Sequence, residues 1–198
     1  MTLIKPSIQV PGEGNPSARI AIVGEAPGAE EARQGRPFVG SSGQLLDQML
    51  SSKGIARSEV YLTNVVKVRP PSNQIDVFYN DAKRTNPSAL MLQYREWLLF
   101  ELDRIKPNIV VALGNEALKA LTEKSGIEKW RGSLIQGYRG LKVLPTYHPA
   151  YVIRMYGFRT ILELDLGKAE RHSHERAMPI DDHRFIIDPT FPQAVETL

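Results

Sequence analysis

The sequence predicts an α/β domain built on a mostly parallel sheet. Two observations carry that prediction. Short β-branched apolar runs, Arg19–Gly24 and Asn108–Leu113, stop at or next to glycine, and amphipathic stretches of helical period alternate with them. The composition permits it: 198 residues, 42% hydrophobic and 24% charged, are enough to bury one sizeable core. No apolar run approaches the roughly 20 residues needed to cross a bilayer. The first ten residues carry no apolar signal core, so export is not expected.

Residues 1–18 hold three prolines and two glycines and read as an irregular lead-in. Arg19–Gly24 is the first buried strand. Ser41–Lys53 is expected as a helix, capped by Ser41 or Ser42, with Leu45, Leu46, Met49 and Leu50 on one face and Gly54 ending it. Val60–Thr63 is a second strand, and 70–86 reads as a long polar surface loop. Asn86 as N-cap and Pro87 at the first helical position open a helix whose stripe is Leu92, Leu98, Leu99, Leu102 and Ile105. Asn108–Leu113 is the third strand, followed by a helix near 115–122. Ser133–Gln136 and Leu141–Leu144 flank a glycine-bounded turn and form a hairpin, and 158–171 is the last helix of the core. The core domain is thus expected over 19–174. Residues 175–198 form a tail or the start of a further domain, in which Arg184–Ile187 reads as a strand and Phe191, Ala194, Val195 and Leu198 begin a helix.

Charge and residue usage narrow the chemistry. The chain has 25 Lys and Arg against 22 Asp and Glu, and the excess is uneven. Residues 129–176 carry 9 basic and 4 acidic side chains, which suits a phosphate-bearing partner on one side or, equally, a solvated basic face. With no cysteine, a disulfide scaffold, a thiolate zinc site, a cysteine nucleophile and a cysteine-held iron–sulfur cluster are excluded. His172, His174 and His183 with Asp181 and Asp182 match no metal-ligand spacing, and no metal is expected.

Parallel sheets bind ligands beyond the carboxyl ends of their strands. Three loops leave those ends, 24–40, 64–69 and 146–154, and four clusters lie on them. Gly24-Glu25-Ala26-Pro27-Gly28-Ala29-Glu30-Glu31 makes a tight turn able to aim backbone N–H groups at an anion, though it is neither a dinucleotide fingerprint nor a phosphate loop. Phe38, between Pro37 and Gly40, is an aromatic off any regular apolar face; it either plugs the core edge or stacks on a flat base. Asn64 follows a strand end, where its carboxamide serves a turn or matches the edge of a base. His148, in Pro145-Thr146-Tyr147-His148-Pro149, is either a satisfied core histidine or a donor to a developing anion. Tyr151, Val152 and Ile153 beside Arg154 are expected as an exposed wedge for stacked bases with a phosphate anchor.

Taken in order, the stretches GEAPGAEE, GRPFVGSSGQLLD, YLTNVVKVRPP, KPNIVVALG and PTYHPAYVIR resemble the uracil-DNA glycosylase superfamily, its family 4 branch above all, over Arg19 to Ser173. The resemblance implies a three-layer α/β/α fold and an enzyme that flips uracil out of DNA and hydrolyses its N-glycosidic bond. It implies a uracil pocket lined by the backbone of Gly24, Glu25, Ala26, Pro27 and Gly28. Phe38 would stack on the base, Asn64 would read its edge and His148 would bond the oxygen that gains charge. Glu31, or failing it Glu25, would orient the water. Ser42 and Gly43 would approach phosphate at a helix N-terminus, and Pro149, Tyr151, Val152, Ile153 and Arg154 would probe the duplex.

Family 4 members normally hold a [4Fe–4S] cluster on four cysteines. Here Val68 stands where the family has cysteine between lysine and arginine, Tyr94 stands where another precedes Trp97-Leu98, and the lead-in lacks the usual pair. No cofactor is therefore expected. The insertion of the covalent uracil-binding relatives is missing, and Lys83-Arg84-Thr85-Asn86 does not replace it. The segment DLGKAERHS looks like that of cluster-less domains at the start of some bacteriophage-type DNA polymerases. The expected partners are thus uracil-containing DNA and a polymerase or replication protein, with no membrane, for a monomer in the cytoplasm at the nucleoid. The alternative from another class is a recognition domain with weak or no catalysis, attached to such a polymerase.

Overall fold

The computed structural model describes residues 8–179; the strand and helix expected beyond 183, and His183, Asp181 and Asp182, lie outside them. Four parallel strands form the centre. Ile20–Gly24 (β2) lies between Tyr61–Asn64 (β3) and Ile109–Leu113 (β4), and Lys142–Thr146 (β6) follows on β4. Glu13–Gly14 (β1) and Ile135–Gln136 (β5) close the two edges antiparallel, giving the order β1-β3-β2-β4-β6-β5. The lead-in is therefore not wholly irregular: it supplies β1, and buried Val10 donates its N–H to the Lys67 carbonyl.

Both faces of the sheet are covered, which is why its strands read as unbroken apolar runs. Ala21, Val23, Val110, Ala112 and Val143 pack with Ala89–Ile105 (α3) and Gly114–Thr122 (α4). Their strand neighbours Ile20, Ile22, Ile109, Val111 and Leu144 pack with Ser41–Ser52 (α2), Pro149–Arg154 (α6) and Arg159–Arg171 (α7). The period-two alternation of side chains makes the α/β/α layering. Ala29–Gln34 (α1) and Ile127–Trp130 (α5) are short connecting helices.

Several local expectations are corrected. α2 is capped by Gly40, not by Ser41 or Ser42, which already have helical positions. α3 is capped by Ser88, whose hydroxyl accepts the Met91 N–H at 3.2 Å. Pro87 instead pairs with Tyr79 in an isolated β-bridge, and the Asn86 carbonyl accepts the Asn80 N–H. Leu92 is exposed and outside the apolar stripe. The 70–86 segment is more than a surface loop: two 3₁₀ turns, Pro71–Asn73 and Ile75–Phe78, send Ile75 and Phe78 into the core. The segment 149–154 is a helix, and Val152 is buried among the side chains under α2 and α7 rather than exposed as part of a wedge.

One charged residue is wholly enclosed. Lys67, at the end of the β3 loop, donates to Glu101 at 2.6 Å, Thr63 Oγ1 at 2.7 Å and the Asn64 carbonyl at 2.7 Å. Burial disfavours its charge, and Glu101 restores it. The ammonium thereby ties the end of β3 to α3. Lys67→Met is expected to cost about 3–5 kcal/mol by leaving Glu101 buried without its cation, and Lys67→Met with Glu101→Leu to recover most of it. Denaturant unfolding of the two variants and the parent checks this.

Candidate active site

The loops after β2, β3 and β6 meet in a cleft of about 610 Å³, lined among others by Glu25, Ala26, Gly28, Phe38, Asn64 and His148. The crossovers that make the sheet parallel put all three loops at its carboxyl edge. Residues separated by more than a hundred positions in the chain are thus brought to one place.

The first wall is held by a carboxylate. Glu31, buried on α1, accepts the N–H groups of Gly28 at 3.1 Å, Val39 at 3.0 Å and Gly40 at 2.8 Å. Gly28 and Gly40 are the N-caps of α1 and α2, so one side chain satisfies unpaired donors at both helix starts. Its role is to staple the loop.

Phe38 stands within that stapled loop at φ 53°, a left-handed conformation rare for a residue with a side chain. Arg57 fixes it from behind, donating to the Phe38 carbonyl at 2.9 Å and the Pro37 carbonyl at 2.8 Å while pairing with Asp47. Two glycines make room. A Cβ on Gly43 would lie 1.9 Å from the Phe38 carbonyl oxygen, and one on Gly24 would lie 2.4 Å from Asn64 Oδ1 and 2.6 Å from Phe38 Cζ. Gly24 is thus the floor on which the Phe38 ring and the Asn64 carboxamide meet.

His148 forms the opposite wall, its ring centroid 6.3 Å from that of Phe38 with the planes 29° apart. Protein encloses the imidazole, while its edge still reaches the cleft. Burial pulls it down to about 4, with Arg154 adding to the effect and Glu31 opposing it, so the ring is neutral near pH 7. Its Nδ1 accepts the Ala150 N–H at 3.1 Å. The neutral ring then carries its proton on Nε2, as a donor. Glu25, half-buried in the cleft, is the contrasting group. Burial raises its carboxyl above the ordinary range, Glu116 raises it further, and Arg84 opposes them.

Other expected positions divide. Ala26, Ser42, Tyr151 and Arg154 line the cleft; Pro27, Gly43, Pro149 and Val152 are buried behind it; Ile153 is exposed beyond it. Tyr151 stacks on Tyr147 and leans on Phe158, at 5.3 and 5.2 Å between centroids, in an aromatic cluster rather than free in a wedge. The basic stretch 129–176 is mostly engaged within the fold. Arg131 pairs with buried Asp165, Arg139 with Glu96 and Asp103, and Arg159 with Glu163. Lys168 donates to the Gly132 carbonyl, and Lys142 to carbonyls at 172, 175 and 177. Arg154 is the cation of that stretch that reaches the cleft. Among the described residues no group of three metal-binding side chains occurs.

Sequence reasoning missed Arg57, Lys67 and Asn73. Asn73 lines the cleft from the 70–86 segment, with φ 57° and its Oδ1 accepting from Arg69 Nε at 2.8 Å. An arginine or lysine reveals itself as an internal support only when its acceptors are placed. Asn73, in a Pro-Pro-Ser-Asn turn, carried the one local signal.

Comparison with known proteins gives a consistent result. The family model described as Uracil DNA glycosylase superfamily matches residues 11–165. A type-4 uracil-DNA glycosylase of Thermotoga maritima is 42% identical over 165 residues, covering 81% of this chain and 81% of that protein. The type-4 enzyme of Sulfurisphaera tokodaii is 39% identical over 188 residues, covering 90% and 78%. A DNA polymerase of Bacillus phage SP01 is 32% identical over 156 residues, which are 78% of this chain and 16% of the polymerase.

The depressed His148 also has a stability signature. Its folded value lies below its unfolded one, so as pH falls below about 6.5 the unfolded chain takes up a proton that the folded chain refuses. His148→Asn is expected to lose about 2 kcal/mol less stability than the parent between roughly pH 7 and pH 5. Denaturation at the two pH values measures the difference.

Proposed function

The chain belongs to the uracil DNA glycosylase superfamily, and from that membership we propose that it hydrolyses the bond between uracil and deoxyribose C1′ in DNA, leaving an abasic site. The observation that carries the reading is His148: a neutral ring whose donor nitrogen has no partner among the described residues, facing Phe38 in a cleft roomy enough to admit a nucleobase. C1′ is shielded within a duplex, so the nucleotide must leave the stack to enter. The base then lies on Phe38, with the Asn64 carboxamide at its hydrogen-bonding edge.

Chemistry follows from where charge develops. The C1′–N1 bond breaks with its electron pair leaving on the base, and the charge spreads onto the uracil oxygens. His148 Nε2–H donates to the oxygen that gains it, and backbone N–H groups of the 25–28 turn assist. A neutral donor suits this step because it stabilises the anion without first having to take up a proton. Water adds its hydroxyl at C1′, and its proton is taken up, by way of solvent, by the departing uracil anion, so the products are the abasic sugar and neutral uracil. Of the two candidate carboxylates, Glu25 orients that water, since the oxygens of Glu31 are engaged in the staple.

The residues here do not fit an iron–sulfur cluster. There is no cysteine to supply thiolates, and Val68 and Tyr94 are packed into the apolar core with Phe78 edge-on to Tyr94 at 5.8 Å. No step is assigned to one. No described helix is long and apolar enough to cross a membrane. The substrate partner is uracil-containing DNA, with the chain acting as a monomer in the cytoplasm. The match to the phage polymerase favours a second reading, a uracil-recognising module that serves a polymerase. The complete pocket favours the enzyme.

Purified protein incubated with a single-uracil oligonucleotide, and with thymine in its place, is expected to leave alkali-labile sites only at uracil. His148→Ala should lower kcat about 10²–10³-fold while DNA binding persists. Binding without release of uracil would select the recognition module. Activity should also fall in acid as Glu25 protonates, above the pH at which His148 does, and Glu25→Gln should remove that limb along with most of the rate.

A further inference from the structure

The 70–87 segment reaches the cleft without support from the sheet. It contains left-handed Ser72, Asn73 and Arg84, and its regular hydrogen bonding is limited to two 3₁₀ turns and one bridge. Such a segment would ordinarily be loose, yet it delivers Asn73 to the cleft lining. Two sets of contacts bind it. The first is an apolar plug, Ile75 and Phe78 packed with Val68, Met91 and Tyr94. The second is a clasp on α4 centred on Glu116, whose side chain is almost wholly buried.

Glu116 Oε2 accepts the Tyr79 hydroxyl in a short hydrogen bond, and Oε1 lies 3.5 Å from Arg84 and 3.4 Å from Lys119. Arg84 is in turn bidentate on Asp76, at 2.7 and 3.0 Å. Lys119 also donates to the Arg84 carbonyl at 3.3 Å. Asp81 accepts the N–H groups of Thr85 and Asn86 and closes the turn between them. Both carboxylates of the segment, Asp76 and Asp81, are thus bonded within the segment itself. A buried carboxylate is retained only where several donors compensate its desolvation, and here two of those donors, Tyr79 and Arg84, come from the segment.

We propose that Glu116 is a positioning residue: its clasp on Tyr79 and Arg84, with the Phe78–Tyr94 plug, holds residues 70–87 against the core, and so sets Asn73 where DNA enters the cleft. The Asn73 Oδ1 accepts from Arg69, which leaves its NH₂ donors for a phosphate or base edge. The same contacts put Glu116 and Arg84 electrostatically behind Glu25. The part played by Asn73 rests on the glycosylase reading; the clasp itself does not.

The test compares the parent with Arg84→Met, Glu116→Gln and Asn73→Ala. Arg84 is half-exposed, so Arg84→Met keeps the test usable even where Glu116→Gln fails to fold. Hydrogen exchange is read without substrate at the amides of Tyr79, Asn80 and Ser88, and KM and kcat are read on a single-uracil oligonucleotide. Arg84→Met and Glu116→Gln are expected to speed exchange at those amides about tenfold or more and leave the β2–β4 amides unchanged. Measured well above the acid limb, where Glu25 is ionised in every variant, both should raise KM to the level of Asn73→Ala with kcat within about twofold, and combining either with Asn73→Ala should add nothing, as expected of residues acting through one element. Unchanged exchange at 79–88 in Arg84→Met overturns the clasp, as does acceleration spread equally over the central strands. Altered exchange with an unmoved KM, or additive effects with Asn73→Ala, overturns the positioning role. If the parent releases no uracil, the exchange pattern still decides the clasp, and the two failures remain distinct.

Discussion

Glu31 accepts three backbone N–H groups from a loop that has no strand or long helix of its own, and the geometry of the cleft follows from that bond set. Gly28 and Gly40 start two helices whose first N–H groups have no intrahelical acceptor. With both starts tied to one carboxylate, the intervening residues have few conformations left. Phe38 is held in a left-handed conformation it would not choose alone, and Arg57 and Gly43 complete its seat. Strain of that kind persists only where surrounding contacts over-determine it. The ring is thereby preorganised, as the proposed stacking of a flipped base on it requires.

The opposite wall obeys a different constraint. His148 caps α6 through Nδ1, so the bond that starts the helix also decides which nitrogen keeps the proton. Burial then keeps the ring neutral. Fold and chemistry share one hydrogen bond. Glu25 and His148, far apart in sequence, line the same cleft, and burial pushes both toward their neutral forms, the carboxyl upward and the imidazole downward.

The central strands, the layering and the four clusters were legible because each rests on local pattern: unbroken β-branched runs for strands buried on both faces, and glycine and proline at the strand ends. Caps were less legible. Ser88 displaced Asn86 because a bridge between Tyr79 and Pro87, invisible in local sequence, took the earlier residues out of the helix. The wedge expected at 151–153 failed for a related reason. Helical spacing turns Val152 inward while Tyr151 joins Tyr147 and Phe158, and only tertiary packing decides that a turn after proline continues as a helix. The basic stretch left two readings open because composition counts charges without their partners. Arg131, Arg139, Arg159 and Lys142 are bound within the fold.

The plug around Phe78 changes how this domain can fail. A cluster held by four ligands is lost when any one ligand is lost or its sulfur is oxidised. Ile75, Phe78, Val68, Met91 and Tyr94 instead each contribute a few kcal/mol of buried apolar surface. Such a contact degrades by degrees: trimming one side chain loosens the segment without releasing it. The chain has no thiol for an oxidant to attack, and of the five side chains only Met91 offers a sulfur that an oxidant converts to a polar sulfoxide, so oxidation too would loosen the segment at one contact rather than release it.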